Sequence, residues 1–363
     1  MPLVNAKCTN CGANLKIDSS KDAAICEFCG SAFIVEKAVN NYSITNNNQI
    51  HANVVNIHSN QLDFEIRAGV LTKYNGSSTN VTIPDSVSII GDGAFRDCFG
   101  LQQITIRNGI SSIGVAAFMN CKSLFGITIP NSVTHIGKNA FYGCVNLKSV
   151  TLPDSVNRIE SGAFCECSKL TQVKLPCGLT EIAPSLFSGC SSLTSIELPK
   201  NITIIDYRAF SGCCTLSKIV IPEYVYNIES SAFSDCSSLT EIHFPSKVSH
   251  IGPNAFSGCT ALLSVTIPDN VLELGENAFN RCSQLSNVNL TEHLYDHAVY
   301  NCFSGTPWQK AQEPKLQEAW SKRRDEEQRQ YWKRFGYCEF CGGVFIKRLF
   351  SQVCHKCGRR KSY

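Results

Sequence analysis

Cysteine recurs at positions 98, 121, 144, 167, 190, 213, 236, 259 and 282, and every step is 23 residues. Phenylalanine keeps the same step three residues earlier, from Phe95 to Phe279. Leucine keeps it three residues later, from Leu101 to Leu285. The unit reads A-F-x-x-C-x-x-L-x-x-I-x-I-P-x-x-V-x-x-I. A period of about 20–29 residues built on L-x-x-L-x-L describes a coil that cannot bury its apolar side alone. Such a chain has to stack its coils, and its core becomes a set of columns rather than a single cluster.

Each part of the unit has a physical reading. In Leu147-Lys148-Ser149-Val150-Thr151-Leu152-Pro153 the apolar residues alternate with polar ones, which predicts a short strand with one buried face. Proline then ends the pairing, because it has no N–H to donate. Prolines 84, 130, 153, 176, 199, 222, 245 and 268 occupy this slot, and Arg107 and Thr291 replace them in two coils. A second apolar pair such as Val156 and Ile159 predicts a turn and a second short strand. Ala-Phe-x-x-Cys places Phe and Cys one turn apart, which predicts a short helix or 3₁₀ segment. Strands stacked at ~4.8 Å would make about ten coils roughly 50 Å long.

The pattern resembles the BspA-type (Treponema pallidum-type) leucine-rich repeats. The resemblance is carried by Ile129-Pro130-Asn131-Ser132-Val133-Thr134-His135-Ile136-Gly137-Lys138-Asn139-Ala140-Phe141. The opening segment Gly69-Val70-Leu71-Thr72-Lys73-Tyr74-Asn75-Gly76 and the exit Phe303-Ser304-Gly305-Thr306-Pro307-Trp308 carry it as well. It covers about 62–308 and implies a repeat solenoid with short parallel strands. Many members of that family are surface or host-contact proteins.

The ends differ in kind. The first motif is Cys8-Thr9-Asn10-Cys11-Gly12 followed by Cys26-Glu27-Phe28-Cys29-Gly30. The second is Cys338-Glu339-Phe340-Cys341-Gly342 followed by Cys354-His355-Lys356-Cys357-Gly358. Two C-x-x-C pairs at this separation can set four thiolates tetrahedrally around one Zn²⁺. The glycine after each second cysteine allows a left-handed turn that aims backbone N–H groups at the sulfurs. Both segments resemble zinc-ribbon or rubredoxin-type knuckles. The expected ligands are Cys8, Cys11, Cys26 and Cys29 for one Zn²⁺, and Cys338, Cys341, Cys354 and Cys357 for a second. Four-cysteine sites leave no open coordination position, so both metals are structural. Iron accepts the same tetrahedral sulfur set, and zinc is preferred. His355 would be a surplus ligand and is read as exposed.

The expected organisation is an N-terminal zinc ribbon over 1–37, an Asn-rich linker over 38–61 and the solenoid over 62–308. A charged helical spacer over 309–335 and a C-terminal zinc ribbon over 336–363 complete it. The spacer carries mixed charges at i,i+4, such as Lys322/Glu326 and Asp325/Arg329.

Twenty-one cysteines in 363 residues would suggest disulfides in a secreted chain. Here the first residues show no basic region followed by an apolar run, and no stretch approaches the ~18 apolar residues of a membrane span. The expectation is therefore a reducing cytoplasm, with thiols free or metal-bound. The nine-rung cysteine ladder reads as a column of small buried side chains, since one cysteine per coil offers no convergent tetrahedron. Cys165, Cys177, Cys214 and Cys302 fall off that ladder and receive no role.

The chain has no G-x-x-x-x-G-K-[ST], H-E-x-x-H, G-x-S-x-G or G-x-G-x-x-G, and its eight histidines are scattered. His135, His243 and His250 occupy polar slots and are expected to be solvated. No enzyme is expected. The formal net charge of +3 does not suggest a chain coated for nucleic acid. Residues 333–363, however, hold eight Lys or Arg against Glu339 alone, a formal +7 before any metal is bound. The outward strand column runs Thr105, Thr128, Thr151, Lys174, Glu197, Val220, His243, Thr266 and Asn289, small and polar without sustained charge. The favoured function is a non-catalytic protein–protein interaction or scaffolding module. The first alternative is a nucleic-acid-associated protein contacting phosphates through 333–363. The second is a surface or host-contact protein.

Overall fold

The structure is a computed structural model. It describes residues 63–291 without a break, together with 294, 302–312, 326–330 and six strands nearer the termini. The chain divides into two units, Met1–Leu62 and Asp63–Tyr363.

The first unit holds two antiparallel hairpins. Leu3–Lys7 pairs with Asn14–Asp18, with Lys7 opposite Asn14. Ala23–Ile25 pairs with Ala32–Ile34, with Ile25 opposite Ala32. The Asn-rich linker proposed over 38–61 lies outside the described residues.

The second unit is the repeat solenoid. Two parallel strand ladders run along it, stepping by 23 residues except for a first step of 19 from Val70 to Ile89 in the second. The first takes Asn80–Thr82, Gln103–Thr105, Gly126–Thr128, Ser149–Thr151 and Gln172–Lys174 in direct register, so that Val81, Ile104, Ile127, Val150 and Val173 form one column. The second runs from Val70–Tyr74 through Ile89–Ile90, Ser112–Ile113 and His135–Ile136 to Arg158–Ile159. Proline stands at the corner between the ladders. Its carbonyl accepts the N–H three residues on, as from Val133 to Pro130 at 3.1 Å, which closes a turn.

The Ala-Phe-x-x-Cys piece is not the helix or 3₁₀ segment that its spacing suggested. The residues two before and two after each repeat phenylalanine adopt left-handed backbone. Around Phe118 these are Ala116 at φ 52 and Asn120 at φ 60. A left-handed residue cannot continue a right-handed helix. The segment becomes overlapping turns, with Met119 N–H bonded to Ala116 O, Cys121 N–H to Phe118 O and Leu124 N–H to Cys121 O, at 3.0–3.1 Å. The opened backbone bonds the neighbouring coil instead. Each repeat phenylalanine N–H donates to a carbonyl one coil further on, as from Phe118 to Ala140 at 2.7 Å and from Phe233 to Ala255 at 2.7 Å. This turn ladder is the third that ties the coils together.

The core is columnar. The repeat phenylalanines are fully buried and stack from Phe95 to Phe303, with ring centroids 5.0–5.9 Å apart. The stack is closed at both ends by the chain itself. At the start, Phe64–Arg67 and Val70–Tyr74 form a hairpin whose turn residues Ala68 and Gly69 both have positive φ, as a type I′ turn requires. That hairpin lays Tyr74 on Phe95 at 5.2 Å. At the far end Thr306 caps the short helix at 307–312. Its hydroxyl accepts the Gln309 N–H at 3.1 Å while the Gln309 side chain accepts the Gly305 N–H at 3.0 Å. Pro307 fills the first helical position, where no N–H is needed. Trp308 then covers Phe303 at 4.9 Å.

One seam interrupts both strand ladders between the same two coils, and the first ladder alone has a second break, between Lys218–Ile219 and the bridge from Glu241 to Ser264. The first ladder stops at Gln172–Lys174 and resumes at Ser195–Ile196. The second stops at Arg158–Ile159 and resumes at Glu181–Ile182. Elsewhere Asn157 N–H bonds Thr134 O and Thr203 N–H bonds Thr180 O. Among the described residues, no equivalent bonds leave Thr180, Ala183 or Thr194 toward the preceding coil. The turn ladder crosses intact, with Gly162 N–H to Pro184 O at 2.9 Å and Phe164 N–H to Leu186 O at 3.1 Å. Leu186 is the cause the sequence offers. It is fully buried where every other coil from Ala94 to Ala278 places alanine just before the phenylalanine. The two widest steps of the ring stack flank its neighbour Phe187, at 5.9 Å and 5.6 Å. A larger side chain in a close-packed column forces its neighbours apart.

Candidate functional surface

The cysteine ladder is structural, and the geometry adds a role beyond filling space. Each thiol from Cys121 to Cys282 donates its S–H to the carbonyl of the phenylalanine 26 residues earlier, at 3.1–3.3 Å. That carbonyl also accepts the cysteine N–H of its own coil, as from Cys144 to Phe141 at 3.1 Å. Cysteine thus satisfies the second lone pair of a buried carbonyl that the turn leaves available. Burial pushes these thiols well above the ordinary range, Cys282 to about 12, and neighbouring thiols add to the rise in Cys144, Cys190 and Cys236. They stay protonated at neutral pH and are poor nucleophiles and poor metal ligands.

The four off-ladder cysteines now have places. Cys214 belongs to a column of hydroxyls, Ser168, Ser191, Ser237, Thr260 and Ser283, that bond carbonyls one coil back. Its Sγ lies 3.5 Å from Ser191 O. Cys302 is buried, continues the turn ladder by accepting the Phe279 N–H at 2.7 Å, and donates to Gly275 O at 3.2 Å. Burial raises it to about 12. Cys177 is exposed, and its backbone N–H donates to Asp154 Oδ1 at 3.0 Å, which holds that carboxyl below the usual range. Cys165 is half-buried, and burial with Glu166 beside it pushes the thiol up to about 11. Its carbonyl accepts the Gly143 N–H at 2.9 Å, one more bond of the turn ladder, and its thiol hydrogen-bonds with Ser188.

The histidines differ from the solvated default. His243 is exposed, but His135 and His250 are half-buried against carboxylates. His135 Nε2 lies 3.2 Å from Glu160, which also pairs with Arg158 at 2.9 Å, and His250 Nδ1 lies 3.1 Å from Glu273. The two histidine contacts run between adjacent coils, whereas Arg158 and Glu160 belong to the same coil.

The expected zinc ligands Cys8, Cys11, Cys26, Cys29, Cys338, Cys341 and Cys357 lie outside the described residues, as does the side chain of Cys354. Only the flanking strands are described. In the first unit residues 8–13 and 26–31 each connect the two strands of one antiparallel hairpin. Near the C-terminus Phe345–Arg348 pairs with Ser351–Cys354, so that hairpin follows the first C-x-x-C pair and ends on the first cysteine of the second. Of the spacer proposed over 309–335, residues 309–312 and 326–330 are helical, and the rest lies outside the described residues. Among the described residues no group of three or more His, Cys, Asp or Glu could hold a metal ion, and no helix is long and apolar enough to cross a membrane.

The outer surface is dominated by hydroxyl and amide side chains, as the strand column from Thr105 to Asn289 suggested. One region stands apart, and reading that column alone missed it. Residues 99–105, 122–128, 145–151 and 168–174 present four lysines and no Asp or Glu. Lys122, Lys148, Lys169 and Lys174 are all exposed, as are Phe99 and Phe125. A groove of about 540 Å³ here is lined by Gln102, Ser123, Phe125, Asn146, Lys148 and Lys169. The lysines fall in different columns of successive coils, so only the stacked registers bring them together.

A stack of short-stranded coils with a columnar apolar core defines a leucine-rich-repeat solenoid. More narrowly, the family model for the BspA type leucine rich repeat region matches in six copies over 72–192, 112–221 and 203–318, and the chain belongs to that family. Among solved structures, a leucine rich cell surface protein from Faecalibacterium prausnitzii is 32% identical, with a TM-score of 0.51. The match covers 63% of this chain and 74% of that one. A T. pallidum leucine rich repeat protein is 26% identical with a TM-score of 0.46, covering 50% of this chain and 90% of that one. A leucine-rich repeat protein from Bacteroides ovatus is 25% identical with a TM-score of 0.43, covering 69% and 87%. No curated protein matches the chain.

Proposed function

We propose that this protein is a non-catalytic interaction or scaffolding module that binds a protein partner along its solenoid and works in the cytoplasm. The observation that carries this reading is the registered outer surface. Two parallel ladders hold row after row of short polar side chains on a backbone fixed by a continuous core. Such an extended, rigid surface suits recognition of another macromolecule. The protonated thiol ladder argues in the same direction, since the most repeated reactive residue is committed to packing.

In this reading both ends carry structural zinc, two ions in all, held by Cys8, Cys11, Cys26 and Cys29 and by Cys338, Cys341, Cys354 and Cys357. Hairpins that place C-x-x-C in the connection between paired strands suit knuckle geometry, and four thiolates make closed sites. Segments this short gain from metal the stability that a small core cannot supply.

Recovery of partners from native lysate, with and without nuclease, tests the reading. A protein partner retained after nuclease and after deletion of 309–363 supports it. Recovery that is nuclease-sensitive and lost with 333–363 favours nucleic-acid contact through the basic segment instead. The Faecalibacterium protein is described as a cell surface protein, which keeps a surface role as the second reading. Cell fractionation with surface proteolysis separates the two.

A further inference from the structure

The groove beside Phe125 carries more information than the rest of the surface. Three of its lysine neighbours come from three successive coils: Lys122, then Lys148, then Lys169. Coils stack at about 4.8 Å, so the positive charges form a short diagonal on the scale of a few extended peptide residues. Lys169 Nζ is held 2.7 Å from Asn146 Oδ1, and Lys122 Nζ lies 5.4 Å from the centre of the Phe99 ring. Among the described residues Lys122, Lys148 and Lys169 form no ion pair, whereas Lys218 in a later coil lies 3.8 Å from Glu241. Lys174, at the edge of the region, faces Asp154 and stands outside this diagonal.

Uncompensated positive charge beside a half-exposed aromatic wall fits a partner that brings carboxylates and an apolar side chain together. The lining amides of Gln102 and Asn146 and the hydroxyl of Ser123 can bond a peptide backbone. Single-stranded nucleic acid would need open ring faces on which bases stack. Phe99 already carries Lys122 over its face, and Phe125 is only 40% exposed. Resting on the protein-interaction reading above, we infer that the groove formed by Phe125, Lys148 and Lys169 with Lys122 docks an acidic peptide segment of a partner protein, one that places an aromatic or aliphatic side chain between carboxylates.

The test uses the full chain and a fluorescein-labelled peptide of three Glu-Phe-Glu units, with fluorescence anisotropy as the readout. A peptide with Lys in place of Glu and an oligodeoxythymidylate serve as competitors. The expected result is binding of the acidic peptide that weakens with salt and is not displaced by either competitor. The triple variant Lys122→Glu, Lys148→Glu, Lys169→Glu should weaken it by roughly tenfold or more, since the attraction becomes repulsion. Phe125→Ser should weaken it too, whereas Lys218→Glu should leave it unchanged. All are surface substitutions, and an unaltered circular dichroism spectrum confirms folding. Equal affinity in the triple variant overturns the inference, as does tighter binding of the oligonucleotide at the same residues. A wild-type chain that ignores the peptide yet retains a nuclease-resistant protein partner overturns the acidic-segment inference and leaves the interaction reading standing. Loss of both would sink both.

Discussion

Replacing Leu186 with alanine sets two opposed terms against each other. Removing three buried carbons loses about 2.4 kcal/mol of transfer free energy, at ~0.8 kcal/mol per CH₂. If the coils stay where they are, the residual void adds about 24 cal/mol per Å³, and the total reaches the upper part of the ~2–5 kcal/mol range for Leu→Ala. But alanine is what the other coils place in this column, and there the rings sit 5.0–5.3 Å apart rather than 5.9 Å, with the second strand ladder joined at every step. Leu186→Ala should let the seam close. Closure eliminates the void and lets the amides of Thr180, Ala183 and Thr194 reach the preceding coil, at about 1 kcal/mol for each bond formed. Three such bonds offset the transfer loss, so the net change should lie within about 1 kcal/mol of zero. Stacked repeats need not unfold as one unit, so hydrogen exchange read residue by residue is the better assay, with chemical denaturation beside it. The expected result is new protection at those three amides and almost unchanged stability. A cost above about 4 kcal/mol with the amides still exchanging rapidly would refute the wedge account of the seam.

Other outcomes rest on the same columns. Ala116→Gly should stabilise by about 0.5–1 kcal/mol in denaturant melts, because left-handed backbone costs a non-glycine residue about 1–2 kcal/mol and the added chain entropy returns only part of it. Cys236→Ala should cost about 1 kcal/mol, for a small void and a weak S–H bond, while Phe233→Ala should cost about 3–5 kcal/mol; equal costs would contradict the ring stack as the larger contributor. Elemental analysis should find about two Zn²⁺ per chain, and Cys8→Ser should remove one while leaving the solenoid's circular dichroism intact; a metal-free chain would rule out the ribbons. The ladder thiols have folded pKa values raised by burial, so the stability they confer is complete below the unfolded thiol pKa near ~8.5 and is lost as pH rises toward the folded values. Each buried thiol contributes about 1.4 kcal/mol per pH unit in that window, and several together should produce steep alkaline unfolding between about pH 9 and 11. Cys→Ala at two ladder positions should move that transition upward in pH, and an unmoved midpoint would contradict the linkage.

The periodicity of Phe, Cys and Leu was enough to read the stacking, the two strand positions and the corner prolines, because each is a local rule repeated at one spacing. The left-handed pairs around each phenylalanine were not legible. Their residues include Ala116, Glu166, Arg208 and Arg281, which carry no left-handed signal of their own and are held there by bonds to the next coil. The thiol hydrogen bond was hidden for a related reason: its acceptor lies 26 residues away, and nothing in the spacing distinguishes a bonded column from a merely packed one. Leu186 departs from the Ala-Phe-x-x-Cys unit but passed unnoticed in the sequence, because a single leucine for alanine keeps the apolar pattern and only the ring distances set it apart. The basic groove escaped because its lysines sit one to a column, at 122, 148 and 169, and a column-by-column reading sees three isolated charges.

Repetition also separates what holds the fold from what addresses a partner. Because register is fixed by the inward Phe, Cys, Leu and Ile columns, an outward residue can change sign without moving the backbone that carries it. The outward strand column shows such a change across the seam, with Lys174 on one side and Glu197 on the other. The four-lysine face lies wholly before the seam, and the strand segments Ser195–Ile196 and Lys218–Ile219 after it stand among Glu197 and Glu241. A continuous basic stripe would attract any polyanion, whereas a short basic segment followed by mixed charge limits the length of acidic partner that fits. Closing the seam through Leu186→Ala should therefore leave the Glu-Phe-Glu peptide's affinity unchanged, since its contacts end at Lys169. It should alter only a partner long enough to span both halves.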